Sequence, residues 1–304
     1  MSSKTVSGLK FKQNWRLHLM LFPAVVLLAV FAYYPMIGIV ISFQNYIPTK
    51  GFFGSEWIGL DLYKYLMTLP DVFLVVRNTV VISLLKIVTG LIFSIGIALL
   101  LNEVALRKIK RLIQTVVFFP YFLSWVILGG VLIDILSAKG GAVNQILGIF
   151  GFKPVFFLGN PTAFVVILVL TNIWKEFGFT MVIFLAAMTN IDPGLYEAAR
   201  IDGAGRFKQV LNITIPCILP MIVLMATLSL GNILNAGFDQ VFNLYNILVY
   251  DTGDIIDTYV YRLGIVSGQY SLATAVGLFK SVVGFVLITF SYWAADRFAN
   301  YRII

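Results

Sequence analysis

Charged residues and cysteine are both scarce in this 304-residue sequence. Only 12% of the residues are charged and 60% are hydrophobic, whereas ordinary soluble domains carry roughly 25% charged residues. Together with a mean hydropathy of +0.93, this composition excludes a soluble globular protein. The single cysteine, Cys217, excludes both an intrachain disulfide and a zinc site built from several cysteines.

Signatures of nucleotide binding, metal binding and catalysis are also missing from the sequence. There is no Gly-x-x-x-x-Gly-Lys-Ser/Thr phosphate-binding loop, so the chain is not expected to hydrolyse ATP by itself. No cluster of histidine, cysteine and carboxylate residues has the spacing of a metal site. No serine, cysteine or carboxylate pair lies in a catalytic context. We therefore predict a protein that is not an enzyme and that binds no cofactor or metal.

Long apolar runs dominate the sequence instead. About 20 apolar residues are needed to cross roughly 30 Å of hydrocarbon, and several runs are that long. We predict an all-α integral membrane protein with about six transmembrane helices, in which a basic segment (1–18) precedes one transmembrane domain (19–304). The predicted spans are 19–43, 73–101, 112–136, 161–190, 215–238 and 270–294.

The lysines and arginines are distributed unevenly around these spans. A net charge of +8 is compatible with nucleic-acid binding, but the basic residues flank the apolar runs and do not form one patch. With a cytoplasmic N-terminus, the inside segments hold more than twice as many lysines and arginines as the outside loops. This bias is the positive-inside signal. We therefore expect both termini, and the segment between spans 4 and 5, to be cytoplasmic.

Residues 191–216, which we call the EAA segment, are polar and small and lie between two apolar runs. Asp192 is a good N-cap, and Pro193 suits the first helical position, where its missing N–H would have no partner in any case. Gly203 and Gly205 offer the positive φ that ends a helix. The pattern predicts a short helix, a glycine break and a second helix.

The spacing within this segment resembles the EAA loop of permeases of ATP-binding cassette (ABC) importers, EAA-x3-G-x9-I-x-L-P. Glu197-Ala198-Ala199, Gly203 and Ile213-Thr214-Ile215-Pro216 match it, with Ile215 in place of leucine. Asp202-Gly203-Ala204 is similar to the form found in the carbohydrate-uptake branch, and further stretches resemble its oligosaccharide and polysaccharide permeases, of the alginate and pectin-fragment types. Those stretches are Gly54-Ser55-Glu56-Trp57, Arg77-Asn78-Thr79, Leu101-Asn102-Glu103, Phe122-Leu123-Ser124-Trp125, Trp174-Lys175-Glu176, Thr258-Tyr259-Val260-Tyr261 and Ala275-Val276-Gly277-Leu278-Phe279-Lys280-Ser281.

This resemblance implies a type I importer permease in a bacterial cytoplasmic membrane, with an oligosaccharide or polysaccharide fragment as its substrate. The implied partners are a second, similar permease, two ATPase subunits that bind ATP and Mg, and an extracytoplasmic solute-binding protein. In the family the EAA loop is a coupling helix that docks on the ATPase. The residues that the resemblance assigns to this contact are Tyr196, Glu197, Ala198, Ala199, Arg200, Asp202, Gly203, Ala204 and Arg206. The alternative is an ordinary helical loop with internal pairs such as Asp202–Arg206.

Polar residues inside the predicted spans are candidates for the substrate path, because ionisable groups in mid-membrane are costly and are often functional. Lys175 and Glu176 lie near the middle of span 4, and Asn232, Asn235 and Asp239 have the spacing of one helical face. Each of these groups has pairing between helices as its alternative role. The complete set of candidates is Trp174, Lys175, Glu176, Asn232, Asn235, Asp239, Gln240 and Lys280.

Three aspartates, Asp251, Asp254 and Asp257, lie in the last predicted outer loop. They are expected either to contact the solute-binding protein or to be solvated.

Two other functions compete with an importer permease. An ion-coupled secondary sugar transporter would need carboxylates in mid-span, and Glu176 is the one candidate, next to a lysine. A membrane enzyme acting on lipid-linked sugars would need an acidic or metal-binding loop beside a groove, and no convincing loop of this kind is present.

Overall fold

The computed structural model describes residues 14–299, with side chains up to residue 293. Most of the predicted basic N-terminal segment, including Lys4, Lys10 and Lys12, lies outside the described residues, as does Arg302. The helices in chain order are α1 Trp15–Leu28, α2 Gly51–Gly54, α3 Asp61–Leu66, α4 Pro70–Asn102, α5 Arg107–Phe118, α6 Trp125–Leu136, α7 Ala142–Ile149, α8 Pro161–Thr189, α9 Pro193–Ile201, α10 Arg206–Gln209, α11 Ile215–Gly231, α12 Phe238–Leu244, α13 Tyr250–Gly253, α14 Ile256–Tyr261 and α15 Tyr270–Ala299.

Shorter segments join several of these helices. Two strands, β1 Gln44–Asn45 and β2 Glu56–Trp57, pair antiparallel at the end of the first span. Four of the remaining segments are 3₁₀ helices, at Tyr34–Phe43, Phe119–Phe122, Phe157–Gly159 and Ile247–Val249. Three others are π-helices, at Ala29–Tyr33, Val210–Thr214 and Arg262–Val266.

Within residues 14–299, five helical stretches are long and apolar enough to cross a membrane, and a bent pair of helices can form a sixth crossing. The fold is therefore all-α with up to six spans. The stretches are Trp15–Phe43, Pro70–Asn102, Pro161–Thr189, Arg206–Gly231 and Tyr270–Trp293, and the bent pair is Arg107–Phe122 with Trp125–Leu136.

Helices α4 and α8 form the centre of the bundle, α11 packs beside them, and α15 packs against α11. Ala98 of α4, Met181 of α8 and Ile218 of α11 belong to one fully buried cluster near the EAA segment. Helix α1 differs from this centre, because none of its residues is buried. The first span therefore lies against the outside of the bundle.

Two predicted spans are interrupted inside the bundle. The predicted span 112–136 is broken at Leu123 and Ser124, where the chain turns by 97°. The predicted span 215–238 ends as a helix at Gly231, seven residues early. Hydropathy detects neither break, because the residues beyond each break are still apolar. In a bilayer, irregular backbone of this kind is tolerated only where protein or water satisfies its polar groups.

Gly178 of α8 lies at a close approach of the third and fourth spans. A Cβ at this position would lie 2.4 Å from the carbonyl oxygen of Val117. Gly178→Ala is therefore expected to lower the free energy of unfolding by about 1–3 kcal/mol, because the two backbones would have to separate.

Thermal unfolding in detergent measures this effect, with Gly96→Ala as the matched control. Gly96 is also helical, but a Cβ there would meet nothing within 4 Å. Equal melting temperatures for the two variants would contradict the predicted close packing.

Candidate functional site

A polar groove runs along the bundle between α4, α8 and α11. It consists of two adjoining cavities of ≈ 350 Å³ and ≈ 120 Å³, which share Lys86, Ile87, Asn172 and Ser229. The residues that line the two cavities are Ser83, Lys86, Ile87, Gly90, Leu91, Ser94, Asn172, Ile173, Glu176, Phe177, Thr180, Met225, Leu228, Ser229, Asn232, Asn235, Ala236 and Gly237.

Most of the polar side chains in this groove are neutral amides and hydroxyls. They lie among apolar residues, and Glu176 is the one carboxylate among the lining residues. Asn232 and Asn235 are exposed, so the groove opens at the surface of the bundle. Amides and hydroxyls both donate and accept hydrogen bonds, which suits them to a polyhydroxylated solute.

Asn232 and Asn235 belong to a hydrogen-bonded chain and not to one face of a helix. Asn232 is the C-cap of α11, and Asn235 lies in the turn that follows. The Lys280 ammonium donates to Asn235 Oδ1 at 2.8 Å and to Asp257 Oδ1 at 2.6 Å. Asn235 Nδ2 then donates to Asn232 Oδ1 at 3.3 Å. The predicted helical face is therefore wrong, since the helix ends at Gly231, but two of its members meet at the groove.

Asp239 and Lys280 stand beside the groove and do not line it. Asp239 is exposed in the first turn of α12, beyond the turn at Gly237. Lys280 reaches the groove only through its bond to Asn235.

Lys86 supplies a hydrogen-bond partner for the irregular backbone that follows α11, and Gln240 links Lys86 to α8. The Lys86 ammonium donates to the Ala236 carbonyl at 2.6 Å and to the Gln240 side chain. The Gln240 carboxamide in turn donates to the Leu168 carbonyl and to the Thr171 hydroxyl, both at 2.8 Å. Gln240 is 1% exposed, so its place in the predicted substrate path is wrong: its side chain lies behind the groove wall.

Lys175 has a similar role at the break in the third span. Its ammonium donates to the Tyr121 carbonyl at 2.9 Å, and it lies 5.2 Å from the Tyr121 ring centroid and 5.6 Å from that of Trp125. Lys175 is 6% exposed. Its placement in the substrate path is therefore wrong, because the side chain turns towards the broken helix and supplies the partner that the free carbonyl lacks.

The two neighbours of Lys175 point in different directions. Glu176 pairs with Lys175 at 3.3 Å and lines the groove. Trp174 is 48% exposed and does not line the groove, so its place in the substrate path stays a prediction. Adjacent residues on a helix lie about 100° apart, so three consecutive side chains cannot all line one groove.

Several groove residues were not predicted from the sequence. Asn172, Ser83, Ser94 and Ser229 all line the groove. Their signal is periodic: small or polar residues recur every three or four positions along otherwise apolar helices, which marks one face. A prediction based on charged residues alone does not detect this pattern.

The EAA segment folds as a helix, a break and a second helix. The Asp192 carboxylate accepts a hydrogen bond from the Gly194 N–H at 2.9 Å, and α9 follows. Gly203 has φ +76° and ends that helix, with the Ala204 N–H donating to the Ala199 carbonyl at 2.8 Å. The chain then continues through α10 into α11, so the second helix of the segment leads directly into the fifth span.

Two contacts within the EAA segment and one to the loop after α4 hold the segment in place. The hydroxyls of Tyr196 and Thr214 are 2.9 Å apart, and Gln209 Nε2 donates to the Ala204 carbonyl at 2.8 Å. Arg206 pairs with Glu103 at 3.4 Å, so its partner is on the loop after α4 and not Asp202. The break is therefore held at a defined angle.

The EAA segment also exposes a surface suited to another molecule. A polar cavity of ≈ 720 Å³ lies beside α9 and includes Glu197 and Arg200 in its lining. Leu195, Ile201 and Phe207 are 46%, 87% and 74% exposed. Large exposed apolar residues rimmed by charges are typical of a protein interface.

The buried Asp254 pairs with the half-buried Arg262 at the opposite end of the bundle from the EAA segment. Arg262 Nη2 donates to Asp254 Oδ2 at 2.6 Å, and the Thr258 hydroxyl donates to Oδ1 at 2.7 Å. Burial lowers the pKa of Arg262, but its interactions with Asp254 and Tyr250 together outweigh burial and raise the pKa above the usual value. The expectation that all three loop aspartates are solvated or dock a partner is therefore wrong for Asp254, whereas Asp251 is exposed.

Comparison with known proteins identifies relatives along nearly the whole chain. Residues 88–300 match the family described as "Binding-protein-dependent transport system inner membrane component". Polygalacturonan/rhamnogalacturonan transport system permease protein YteP of Bacillus subtilis (strain 168) is 41% identical over 292 residues, which cover 96% of this chain and 91% of the relative. Protein LplB of the same organism is 40% identical over 287 residues, with 94% and 90% covered.

Two solved structures are also similar to this chain. The crystal structure of a bacterial ABC transporter involved in the import of the acidic polysaccharide alginate contains a chain with a TM-score of 0.87 and 37% identity. The match covers 95% of this chain and 98% of that one. The same kind of transporter in complex with an alginate pentasaccharide-bound periplasmic protein gives a TM-score of 0.86 and 37% identity, with 95% and 96% covered.

Proposed function

From the premise that this chain belongs to the family of inner membrane components of binding-protein-dependent transport systems, we propose that it forms half of the translocation path for an oligosaccharide. It is a permease subunit of an ABC importer and not itself an enzyme. The proposal rests on the polar groove. Because the groove is open on one side, a second protein wall is needed to enclose a path through the membrane. A similar permease would supply that wall.

The lining of the groove favours a carbohydrate over an ion as the transported solute. Asn172, Ser229 and Asn232 offer hydrogen bonds of both polarities to sugar hydroxyls. Glu176, the carboxylate that ion coupling would need, is already paired with Lys175. The names of the similar proteins, which include polygalacturonan, rhamnogalacturonan and alginate transport, support an oligosaccharide or polysaccharide fragment.

The EAA segment is the proposed contact with an ATPase subunit that binds ATP and Mg. Its exposed Leu195, Ile201 and Phe207 supply apolar contact area, and Glu197 and Arg200 supply charges that select the partner. Because α10 leads without interruption into the fifth span, movement of this contact is transmitted to Asn232 at the groove.

The proposed orientation places the EAA segment and both termini in the cytoplasm, in agreement with the distribution of lysine and arginine. The opposite end, with β1, β2 and the 238–266 region, then faces the extracytoplasmic solute-binding protein. The periplasmic protein bound to the similar alginate transporter supports this arrangement.

Removal of one groove amide tests the path. Asn232→Ala is expected to reduce binding-protein-dependent oligosaccharide uptake roughly tenfold, because one or two hydrogen bonds to the solute are lost. Asn243→Ala is the matched control, since Asn232 and Asn243 both donate to the carbonyl four residues earlier and Asn243 lies outside the groove. Uptake by the complete transporter in vesicles, over a panel of oligosaccharides, distinguishes the two. Equal losses in both variants would reject the groove as the path.

A further inference from the structure

The first turn and a half of α5 carries four cations within five residues. Arg107, Lys108 and Arg111 are exposed and Lys110 is half-buried. Among the ion pairs of the described residues none involves these four, which we call the basic turn. The adjacent acid, Glu103, pairs with Arg206 instead.

The position of the basic turn is electrostatically unfavourable in the isolated chain. The N-terminus of a helix carries the positive end of its dipole, and acidic residues normally occupy it. Helix α5 has no acidic residue in its first turn, and its N-cap, Leu106, offers no side-chain acceptor. Free backbone N–H groups and four side-chain cations therefore lie together at one end of the helix, which a bound anion would stabilise.

An exposed apolar stripe follows directly from the basic turn. Ile109, Leu112 and Val116 have the spacing of one helical face and are 45%, 64% and 62% exposed. The neighbouring flank of α5, with Ile113 and Val117, packs against the buried cluster of α4, α8 and α11. The helix is thus fixed to the bundle on one side and presents cations and apolar side chains on the others.

We infer that the basic turn binds the headgroups of anionic phospholipids. In a membrane-spanning chain the exposed stripe lies among acyl chains, and the basic turn lies at the end of the same helix. At 1.5 Å per residue, Val116 is about 8–14 Å deeper than the basic turn. A phospholipid has the same arrangement, with an anionic group above its hydrocarbon chains. Clusters of this kind beside membrane spans attract anionic lipids electrostatically.

Native mass spectrometry of the complete transporter, purified in detergent and mixed with equal amounts of phosphatidylglycerol and phosphatidylcholine, tests this inference. The wild type is expected to retain phosphatidylglycerol preferentially. The variant R107Q/K108Q/K110Q/R111Q is expected to lose that preference at least tenfold, since each cation near the surface contributes on the order of fivefold. The variant K50Q/K64Q/K139Q/K153Q is the matched control, because it removes four exposed lysines that are spread over other segments, and it should retain the preference.

Two further measurements test the same inference even if the quadruple variant assembles poorly. The charge-conserving R107K/R111K should retain the wild-type preference, and raising the salt from about 0.1 M to 0.5 M should weaken it through screening. Absence of any headgroup preference in the wild type would overturn the inference. So would a quadruple variant that keeps the lipid but loses its ATPase subunits, which would assign the basic turn to a protein contact.

Discussion

Replacement of Asp254 by alanine is expected to lower the free energy of unfolding by about 3–5 kcal/mol, the range for breaking a buried ion pair from one side. The Asp254 side chain is 3% exposed and accepts hydrogen bonds from Arg262 and Thr258. Its removal would leave the Arg262 guanidinium, whose Nη1 already lacks a hydrogen-bond partner, without its counter-charge in a buried position.

Chemical denaturation of the purified protein in detergent measures this loss, with Asp251→Ala as the matched control. The Asp251 side chain is exposed and only its backbone carbonyl is used, by Asn78 and Arg77. A change within about 0.5 kcal/mol is therefore expected for the control. Asp254→Ala combined with Arg262→Met should recover part of the loss, because no buried charge then remains unpaired. A double variant as unstable as the single one would show that the pair is not the cause.

Gly203→Val is expected to reduce ATP-driven uptake at least tenfold while the chain still inserts into the membrane. At φ +76° a residue with a side chain is strained by about 1–2 kcal/mol, and a β-branched one by more. The strain is relieved by unwinding the end of α9, which moves Glu197 and Arg200 relative to α10. If the EAA segment docks on the ATPase, this displacement breaks the contact.

Gly205→Val is the matched control for Gly203→Val. Added Cβ atoms meet nothing within 4 Å at either glycine, but Gly205 has φ −68° and ψ 165°, which valine adopts readily. Co-purification of the ATPase subunits and uptake in vesicles are the two measurements. Glu197→Lys does not strain the backbone. It should cause the same loss of ATPase association and uptake, because it reverses a charge at the proposed contact. Normal ATPase association in both Gly203→Val and Glu197→Lys would refute the coupling role of the segment.

The local structure of the EAA segment could be predicted from the sequence because its determinants are local. Asp192 caps the helix that begins at Pro193, and Gly203 ends it, within a dozen residues. The pairing of Arg206 could not be predicted in the same way. Its partner, Glu103, is about 100 residues away along the chain and meets it only through the packing of α4 beside the segment.

The breaks in the third and fifth spans could not be predicted from hydropathy for a similar reason. The free carbonyls of Tyr121 and Ala236 are satisfied by Lys175 and Lys86, which lie on other helices. A window of consecutive residues registers only that the run is apolar. The cost of ending a helix in the membrane is offset by a side chain that such a window does not contain.

The substrate-path candidates were chosen mainly for their charge or for their proximity to a charge. Charge pointed to Glu176, and the asparagine spacing pointed to Asn232 and Asn235; all three line the groove, although the helix assumed for the asparagines ends before them. Lys175 and Gln240 were misplaced because a polar side chain in mid-span serves either a solute or the backbone, and only packing distinguishes these roles.

The two lysines at the interrupted helices have a consequence for how such proteins are engineered. Lys86 and Lys175 each donate a hydrogen bond to a backbone carbonyl that would otherwise lack a partner where a helix is interrupted. Attempts to retune cargo preference by exchanging these cations would damage the scaffold first. The uncharged amide of Asn172 is a better starting point, since it lines the groove and lies within α8, away from both helix breaks.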